Sequence, residues 1–592
     1  MMTKLSTIML FVTFLAGISW NQHSCANKRA LIPLPWNAEK IDTVGADFSY
    51  RTVYSFGNYH QDFSANMGLG SLDNDWGIWG HNLKKVLPKE PARGVFAKVD
   101  GERNFEQFCF SSPKLLEYVE NYIMDNYGDK ESNRFVIMPN DDLGVCTCGL
   151  CRAKGNTEKN ATPAVTDFIQ KLAQRFPKHL FFTSYYLTTA NMPTEDLPPN
   201  MGVIISAINL PLARGIEFSP QGTAFVDLLK QWRQKTKHVY IWDYCRNFDD
   251  YLTPFPCLHI LQNRLLLYRE HGVEGVIFNG SGYDYSTFDN MQTWALAKLM
   301  VDATQDVNDI VRQFLSFYYP KVGSKIEKYY LSLEAATNRL ELYEGIGYAT
   351  KHYLDKDKFL QFVDDLEAAY NNKNMSSAEH SRLNYLLTGL NFTRLELMRL
   401  TNDARLVTKK GDYIANLKGH ANLDGMTNYR EANGNLDEYI DYVSQHKSWH
   451  MAANNLIGNK KITTDSPLDE GALPLETLTD GFWGIPMDYH TSWMFFSGEK
   501  LHLTLPATNV APVTLRVGLL VSQPWRISKA NVTARQGNKK VSADPEINLD
   551  KKNERLEVEL DVSSMDGDKP IELYLVKTGR KIAIDEIQLL SK

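Results

Sequence analysis

Between residues 45 and 300, short uninterrupted apolar runs alternate with segments of helical periodicity. No other feature restricts the fold as tightly. Phe48–Tyr54 (FSYRTVY), Phe135–Met138, Leu180–Tyr186 (LFFTSYY), Gly202–Asn209 (GVIISAIN), His238–Tyr244 (HVYIWDY) and Gly275–Asn279 (GVIFN) read as strands, and Gly94–Asp100 as a short strand or hairpin arm. Pro113–Asn126, Thr162–Phe176, Thr223–Lys235 and Ile260–His271 read as helices; in the first, Leu115, Leu116, Val119, Tyr122 and Ile123 share one side. Asp73–Leu83, rich in Trp, Gly and Asn, reads as a loop. Strands without polar alternation, separated by helices, belong to a parallel sheet covered on both faces. Seven or eight such units in about 250 residues predict an α/β fold of the (β/α)8 TIM-like barrel type. A doubly wound open sheet is the alternative. No GxGxxG or GxxxxGK(S/T) follows any strand, which removes the usual nucleotide-binding loops.

In such barrels the chemistry sits where strands end, on the C-terminal face. Here the strand ends carry Asp141 and Asp142, then Tyr185 and Tyr186, Asn209, Asp243 and Tyr244, and Asn279, with Tyr283 and Asp284 just beyond. Any one polar strand end is ordinary turn chemistry; the run of them marks a rim. Phe135–Cys151 (FVIMPNDDLGVCTCGLC) is the densest case, a strand that stops in two acids and then three cysteines. Adjacent acids on extended backbone point opposite ways, so one can face the pocket while the other caps a turn or pairs with Arg152. Asp243 is a further candidate acid, with an ion pair to Arg246 as its bland reading. His81, flanked by Trp79 and Asn82, is a candidate for the substrate wall.

Beyond residue 305 the pattern turns helical. Asp306 is placed to cap a helix running to Phe317, Ser324 to cap Lys325–Glu344, and Ser376-x-x-Glu379 has capping-box spacing ahead of Leu383–Leu400. The charges in this bundle are expected on a solvated face. From Pro467 onward, Leu501–Leu505, Leu515–Val521, Ala530–Ala534, Leu556–Val562, Ile571–Val576 and Ile582–Leu589 read as short strands between turns, a β-sandwich of galactose-binding-like type. Phe482, Trp483 and Trp493 are read as its core, which favours a bracing role. The expected organisation is a signal over 1–25, a barrel over 26–304, a helical domain over 305–455 and the sandwich over 463–592.

Lys4 followed by the apolar run Leu5–Ile18 has the form of a secretory signal, too short to span a bilayer comfortably. Cys25 after Ser24 offers a position for a lipid anchor. Export to a periplasm or outer-membrane surface is the expected destination. A net charge of −6 over 592 residues excludes nucleic acid as a partner. Seven cysteines are too few and too odd in number for a disulfide framework. Cys109, Cys146, Cys148 and Cys151 have the residue types of a metal site but lack two separated pairs. A disulfide plus a free thiol, clipping the loop, is the reading adopted, with no metal and no cofactor.

Several stretches occur in a familiar order: Trp76-Gly-Ile-Trp-Gly-His81, Leu87-Pro88, Asp100-Gly-Glu-Arg103, Pro139-Asn-Asp-Asp142 with its cysteines, Trp242-Asp-Tyr244, Asn247-Phe248, Pro254-Phe-Pro256 and Gly272-Val-Glu-Gly-Val276. Over roughly residues 50–320 this resembles the bacterial domain-of-unknown-function group 4838, the group around glycoside hydrolase family 163. The resemblance implies an exported (β/α)8 hydrolase that cleaves N-glycans as an endo-β-N-acetylglucosaminidase, assisted by the substrate's own acetamido group. That chemistry needs a proton donor and a carboxylate that orients the acetamide. The resemblance also implies an acidic pair after the Gly-Val-x-Gly-Val strand, where this chain has Phe278-Asn279-Gly280. It further implies a separate α/β domain ahead of the barrel, for which there are only some 20 residues.

The resulting expectation is a glycoside hydrolase-like protein acting on a β-linked, N-acetylhexosamine-containing glycan. Asp141, Asp142 or Asp243 supplies the acid. His81, Trp79, Tyr185, Asn209, Trp242, Tyr244, Asn279, Tyr283 and Asp284 line the substrate. A glycan-binding protein that has lost hydrolysis is the alternative, and a structural role for the bundle and sandwich a third.

Overall fold

The computed structural model describes residues 40–592 apart from 60, 373, 402, 432–433, 446–451, 470–471, 482, 487–492, 523–526 and 549–552. The signal expected over 1–25 (Cys25 included) and Phe482 lie outside the described residues.

Seven strands form one parallel sheet. They are β1 (Tyr50–Tyr54), β2 (Trp76–Ile78), β3 (Arg134–Val136), β4 (Leu180–Tyr185), β5 (Met201–Ser206), β6 (Val239–Tyr244) and β7 (Gly275–Asn279). Their order is β1-β7-β6-β5-β4-β3-β2, every pair parallel. That is chain order read round a ring left open between β1 and β2. The closed eight-stranded barrel is thus corrected to a curled half-barrel of seven strands.

The seam shows why the ring stays open. The free edge of β1 is taken by coil: Gly70 N donates to Arg51 O at 2.7 Å, and Thr52 Oγ1 donates to Gly70 O at 2.8 Å. Side chains bridge the gap instead of a ladder. Trp76 Nε1 donates to the Tyr50 hydroxyl at 2.7 Å, with the two rings edge to face at 5.6 Å. β2 itself lies inside the stretch read as a loop. It is three residues long, and its Gly77 is obligatory, because a Cβ there would stand 2.1 Å from the Phe135 ring.

Strand alternation sorts the two faces of the sheet. Tyr50, Trp76, Val136, Phe182, Ile204, Tyr240 and Ile277 point inward and fill the curl, with Tyr50 stacked on Tyr240 at 5.7 Å. Val203, Ile205, Ile241, Val276 and Phe278 point outward, against Leu229 and Trp232 of helix Pro220–Lys235 and Leu261 and Leu265 of helix Leu258–Glu270. Helix starts follow the chain's capping chemistry. Ser112 Oγ accepts from Leu115 N ahead of Pro113–Asn126, and Ser219 Oγ accepts from Gly222 N ahead of Pro220–Lys235.

The helices after residue 305 include Val307–Tyr318, capped by Asp306, and Ser377–Leu400, capped by Ser376. The helix expected to start at Ser324 instead spans Gly323–Ala336, with Val322 at its N-cap. The charges of Ser377–Leu400 do not form a solvated face. Glu379, Arg382, Arg394, Glu396 and Arg399 are buried; Arg399 pairs with Glu396 at 2.6 Å, Tyr439 donates to Glu396 at 2.7 Å, and Arg382 donates to Tyr318 O at 2.7 Å. This helix packs against the loops of the half-barrel through Gly389. A Cβ there would stand 2.0 Å from Thr287 Oγ1 and 3.3 Å from Leu252 O. Gly389→Ala is therefore expected to destabilise the protein by about 1–3 kcal/mol through overpacking. Thermal melting checks this, and an unchanged melting temperature refutes it.

All six C-terminal strands are present. Lys500–Leu505, Lys529–Gln536 and Ile571–Thr578 lie in a five-stranded antiparallel sheet, and Thr514–Ser522, Asn553–Asp561 and Ile582–Leu590 in a four-stranded one. Leu501, Leu503, Leu515, Val517, Leu573 and Ile584 from both sheets share one core. Trp493 is fully buried with Phe495, Leu520 and Ala583, a cluster apart from the core shared by the two sheets, and Trp483 is half-buried under Arg555 at 4.5 Å, so neither belongs to the sandwich core that was expected to hold them. No helix among the described residues is long and apolar enough to cross a membrane.

Candidate functional site

The upper, C-terminal end of the half-barrel is an aromatic and acidic rim. Alternation carries Tyr54, Tyr186, Trp242, Tyr244 and Asn279 to its inner side, in register with the inward residues below. Trp79, just past β2, stacks on Trp242 at 6.5 Å and meets Tyr54 edge-on at 5.2 Å. Tyr283 stacks on Tyr59 at 3.8 Å and is about half exposed. Asp73 ties this wall together: it accepts from Tyr283 Oη at 2.7 Å and from Trp79 Nε1 at 3.2 Å.

The turn after β3 separates its two acids. Asp142 closes the turn, accepting from Gly144 N at 2.5 Å and from Gln107 Nε2 at 3.2 Å. Arg152 is not its partner; it pairs with Glu158. Asp141 faces the rim, where Tyr186 donates to Oδ1 at 3.0 Å. His81 is exposed beside it, its Nδ1 2.8 Å from Pro139 O. A carbonyl only accepts, so Nδ1 carries the hydrogen.

The helical region completes the rim from far along the chain. Arg339–Leu340 pairs antiparallel with Leu212–Ala213 beyond β5, and Phe248 N donates to Leu342 O at 2.7 Å. This seats Tyr343 beside Trp242, Tyr244 and Phe248. On the other side Tyr251 N donates to Tyr429 O at 2.7 Å and Glu431 N to Phe248 O at 2.9 Å. Asn428 Nδ2 donates to Asp284 Oδ1 at 3.0 Å. Below, Asp289 braces both loops, accepting from Gly57 N, Ser286 Oγ and Arg246 Nη2.

Tyrosines and carboxylates thus share an arc, where burial and neighbouring charge shift them. Burial and then the Asp141 charge push Tyr186 far above its ordinary value. Tyr343 is pushed up by burial, then by Glu431, with Asp141 a smaller contributor. Tyr251 is raised by burial, then by Glu431 and Asp284. Burial raises the Asp284 carboxyl above the usual range, against the Asn428 hydrogen bond. Among the described residues, no Lys or Arg forms an ion pair with Asp141 or Asp284.

Two expected site residues face elsewhere. Asp243 lies on the outer side of β6, fully buried, ion-paired with Arg264 and accepting from the Tyr268 hydroxyl at 2.7 Å. The anticipated partner Arg246 instead bonds Asp289. Tyr185 also points outward, edge-on to Trp232 at 6.1 Å. Asn209 sits exposed on the loop after β5. Tyr54 and Asp73 carry the site although they were not among the expected site residues, and Tyr186, named beside Tyr185 at its strand end, takes the place expected of Tyr185. Counting alternation from the apolar inward residues selects Tyr186 over Tyr185 and turns Asp243 outward. The expected disulfide is corrected too: Cys109, Cys146, Cys148 and Cys151 are all unbridged.

The family described as Domain of unknown function (DUF4838) matches residues 32–331, about half of the chain. The chain belongs to the DUF4838 family. No curated protein sequence matches this DUF4838 chain. Among solved structures it is similar to carbohydrate-binding modules of the β-sandwich superfamily (15% identity, TM-score 0.14), covering 17% of its own length and 44% of that chain. It is similar to TmCBM61 in complex with β-1,4-galactotriose (14% identity, TM-score 0.15), covering 24% of itself and 100% of that chain. It is similar to CpGH84B (12% identity, TM-score 0.26), covering 67% of itself and 77% of that chain. At these scores none of the likenesses bears on the site.

Proposed function

We propose that this protein is an exported glycoside hydrolase-like enzyme that cleaves a β-linked, N-acetylhexosamine-containing glycan at the half-barrel rim. One observation carries the reading: Asp141 stands at a strand end, held by the Tyr186 hydroxyl, in an arc of tyrosines that also holds Asp284 and Glu431. Stacked aromatic walls of the Trp79–Trp242 kind suit the flat faces of sugar rings, and Asp141 and Asp284, which form no ion pair with a Lys or Arg among the described residues, suit a positively charged, oxocarbenium-like transition state.

The two acids divide the work by environment. Asp284, raised by burial, keeps its proton to higher pH than a solvated carboxyl, which fits a proton donor to the leaving oxygen. Asp141 receives a hydrogen bond from Tyr186, which orients its carboxyl group and fits a carboxylate that accepts from the substrate's acetamido N–H. His81 and Asn279 are placed to bond sugar hydroxyls. The family resemblance supports the same reaction class.

Turnover is then expected to fall as pH rises through the raised Asp284 value, because only the protonated carboxyl donates. Asp284→Asn is expected to remove that limb together with most of the rate. Product analysis on N-glycans and chitooligosaccharides across pH checks both. Binding without turnover of any bound glycan would instead establish the second reading, a glycan-binding protein. Asn279 favours that reading, standing where the resemblance implies an acid.

A further inference from the structure

Cys109 meets Cys146, Cys148 and Cys151 although residues 110–145 separate it from them along the chain. Cys109 ends the hairpin formed by Phe96–Val99 and Glu102–Phe108, its N–H bonded to Val95 O. Cys146 lies on the loop beyond Asp142, Cys148 caps the short helix Gly149–Ala153, and Cys151 lies within it. All four sulfurs fall within 4.8 Å of one another. Cys109 Sγ stands 3.7 Å from both Cys148 Sγ and Cys151 Sγ.

Those separations decide between chemistries. A disulfide needs its sulfurs about 2.05 Å apart. A tetrahedral zinc holds each thiolate at about 2.3 Å, which sets neighbouring sulfurs about 3.8 Å apart. The observed 3.7 Å matches the second arrangement. The surroundings agree. Three of the four residues are buried, and Cys148 is partly so. The Lys98 N–H points at Cys146 Sγ from 3.3 Å, the kind of contact that orients and stabilises a metal-bound thiolate.

Cys245 and Cys257 provide the contrast. Each is buried and donates to a backbone carbonyl, Asn279 O and Cys245 O respectively. Those are protonated structural thiols. The cluster sulfurs are turned toward one another.

We propose that Cys109, Cys146, Cys148 and Cys151 form a structural tetrathiolate zinc site. Zinc there clamps the hairpin to the loop that carries Asp141 and Asp142. Gln107, two residues before Cys109, already bridges the same parts through Asn140 and Asp142. Binding releases the thiol protons as the zinc–sulfur bonds form, and no electrons move.

The test uses the full chain, purified without added metal. Elemental analysis should find one zinc per chain. Alkylation after unfolding in chelator should modify all four cysteines. Growth with cobalt should give sulfur-to-cobalt charge-transfer bands and the ligand-field bands of a tetrahedral site. Cys148→Ser, at the least buried ligand, should lose its metal to chelator far faster than the parent, while retaining the parent's far-ultraviolet circular dichroism. A metal-free chain with cluster cysteines in disulfides overturns the proposal, as does bound iron in place of zinc. A cobalt form without thiolate bands overturns it even if the variant does not fold.

Discussion

Asp243→Ala is expected to destabilise the half-barrel by about 3–5 kcal/mol, the cost of leaving one member of a buried ion pair unpaired. Asp243 and Arg264 are both essentially inaccessible, on the outer face of β6 and on helix Leu258–Glu270. Asp243 also accepts from Tyr268 Oη at 2.7 Å and from Tyr244 N at 2.8 Å. Removing the carboxylate strands the Arg264 guanidinium in an apolar layer. Replacing both partners at once, Asp243→Leu with Arg264→Met, is expected to recover much of the loss, because no unpaired charge remains. Because several cores unfold in this chain, one global transition is a poor readout. Hydrogen exchange over residues 201–279 reports the half-barrel directly. An Asp243→Ala chain with parent-like protection but no turnover would refute this account and restore Asp243 as a group acting on substrate.

Asp141→Asn is expected to lower turnover by about 10²–10⁴-fold, the range that a positioned acid or base supplies. The amide keeps an oxygen for the Tyr186 hydrogen bond but cannot ionise, so the fold should hold. Asp142→Asn, one residue away, is expected to be nearly silent. Its Oδ1 can still accept from Gly144 N, and that turn contact is its main role. Asp142→Ala should loosen the loop by about 1 kcal/mol. Glycan product rates on the paired variants decide the matter. Equal losses at both positions would mean that the loop, not the Asp141 carboxylate, is what turnover needs.

The strand and helix periodicities of residues 45–300 were readable, and so were the six C-terminal strands, because a period of 2 or 3.6 is written into a few neighbouring residues. Caps such as Ser112, Asp306 and Ser376 were equally local. Side was less legible than type. Tyr185 and Asp243 look like rim residues until inward and outward positions are counted from buried neighbours such as Phe182 and Tyr240. β2 escaped notice because three residues with a central glycine carry no period, and its pairing depends on Phe135 filling the space above Gly77. The charges of Ser377–Leu400 looked solvated because helical spacing does not reveal how many neighbours close over a helix.

By itself, the sequence determined where most strands and helices form, that the first sheet is parallel, and that the segment after Phe135–Met138 sets down Asp141 and Asp142. Three things waited on the tertiary structure. Whether the ring closed depended on coil and side chains at the Tyr50–Trp76 seam, not on strand propensity. The partners of the rim acids came from 144 residues away, as in Asn428 to Asp284. The meeting of Cys109 with Cys146, Cys148 and Cys151 required a hairpin and a loop to fold onto one point. Local pattern encodes conformation over a turn or two; contacts between distant segments are set by how the whole core packs, and the rim and the thiolate cluster are made of such contacts.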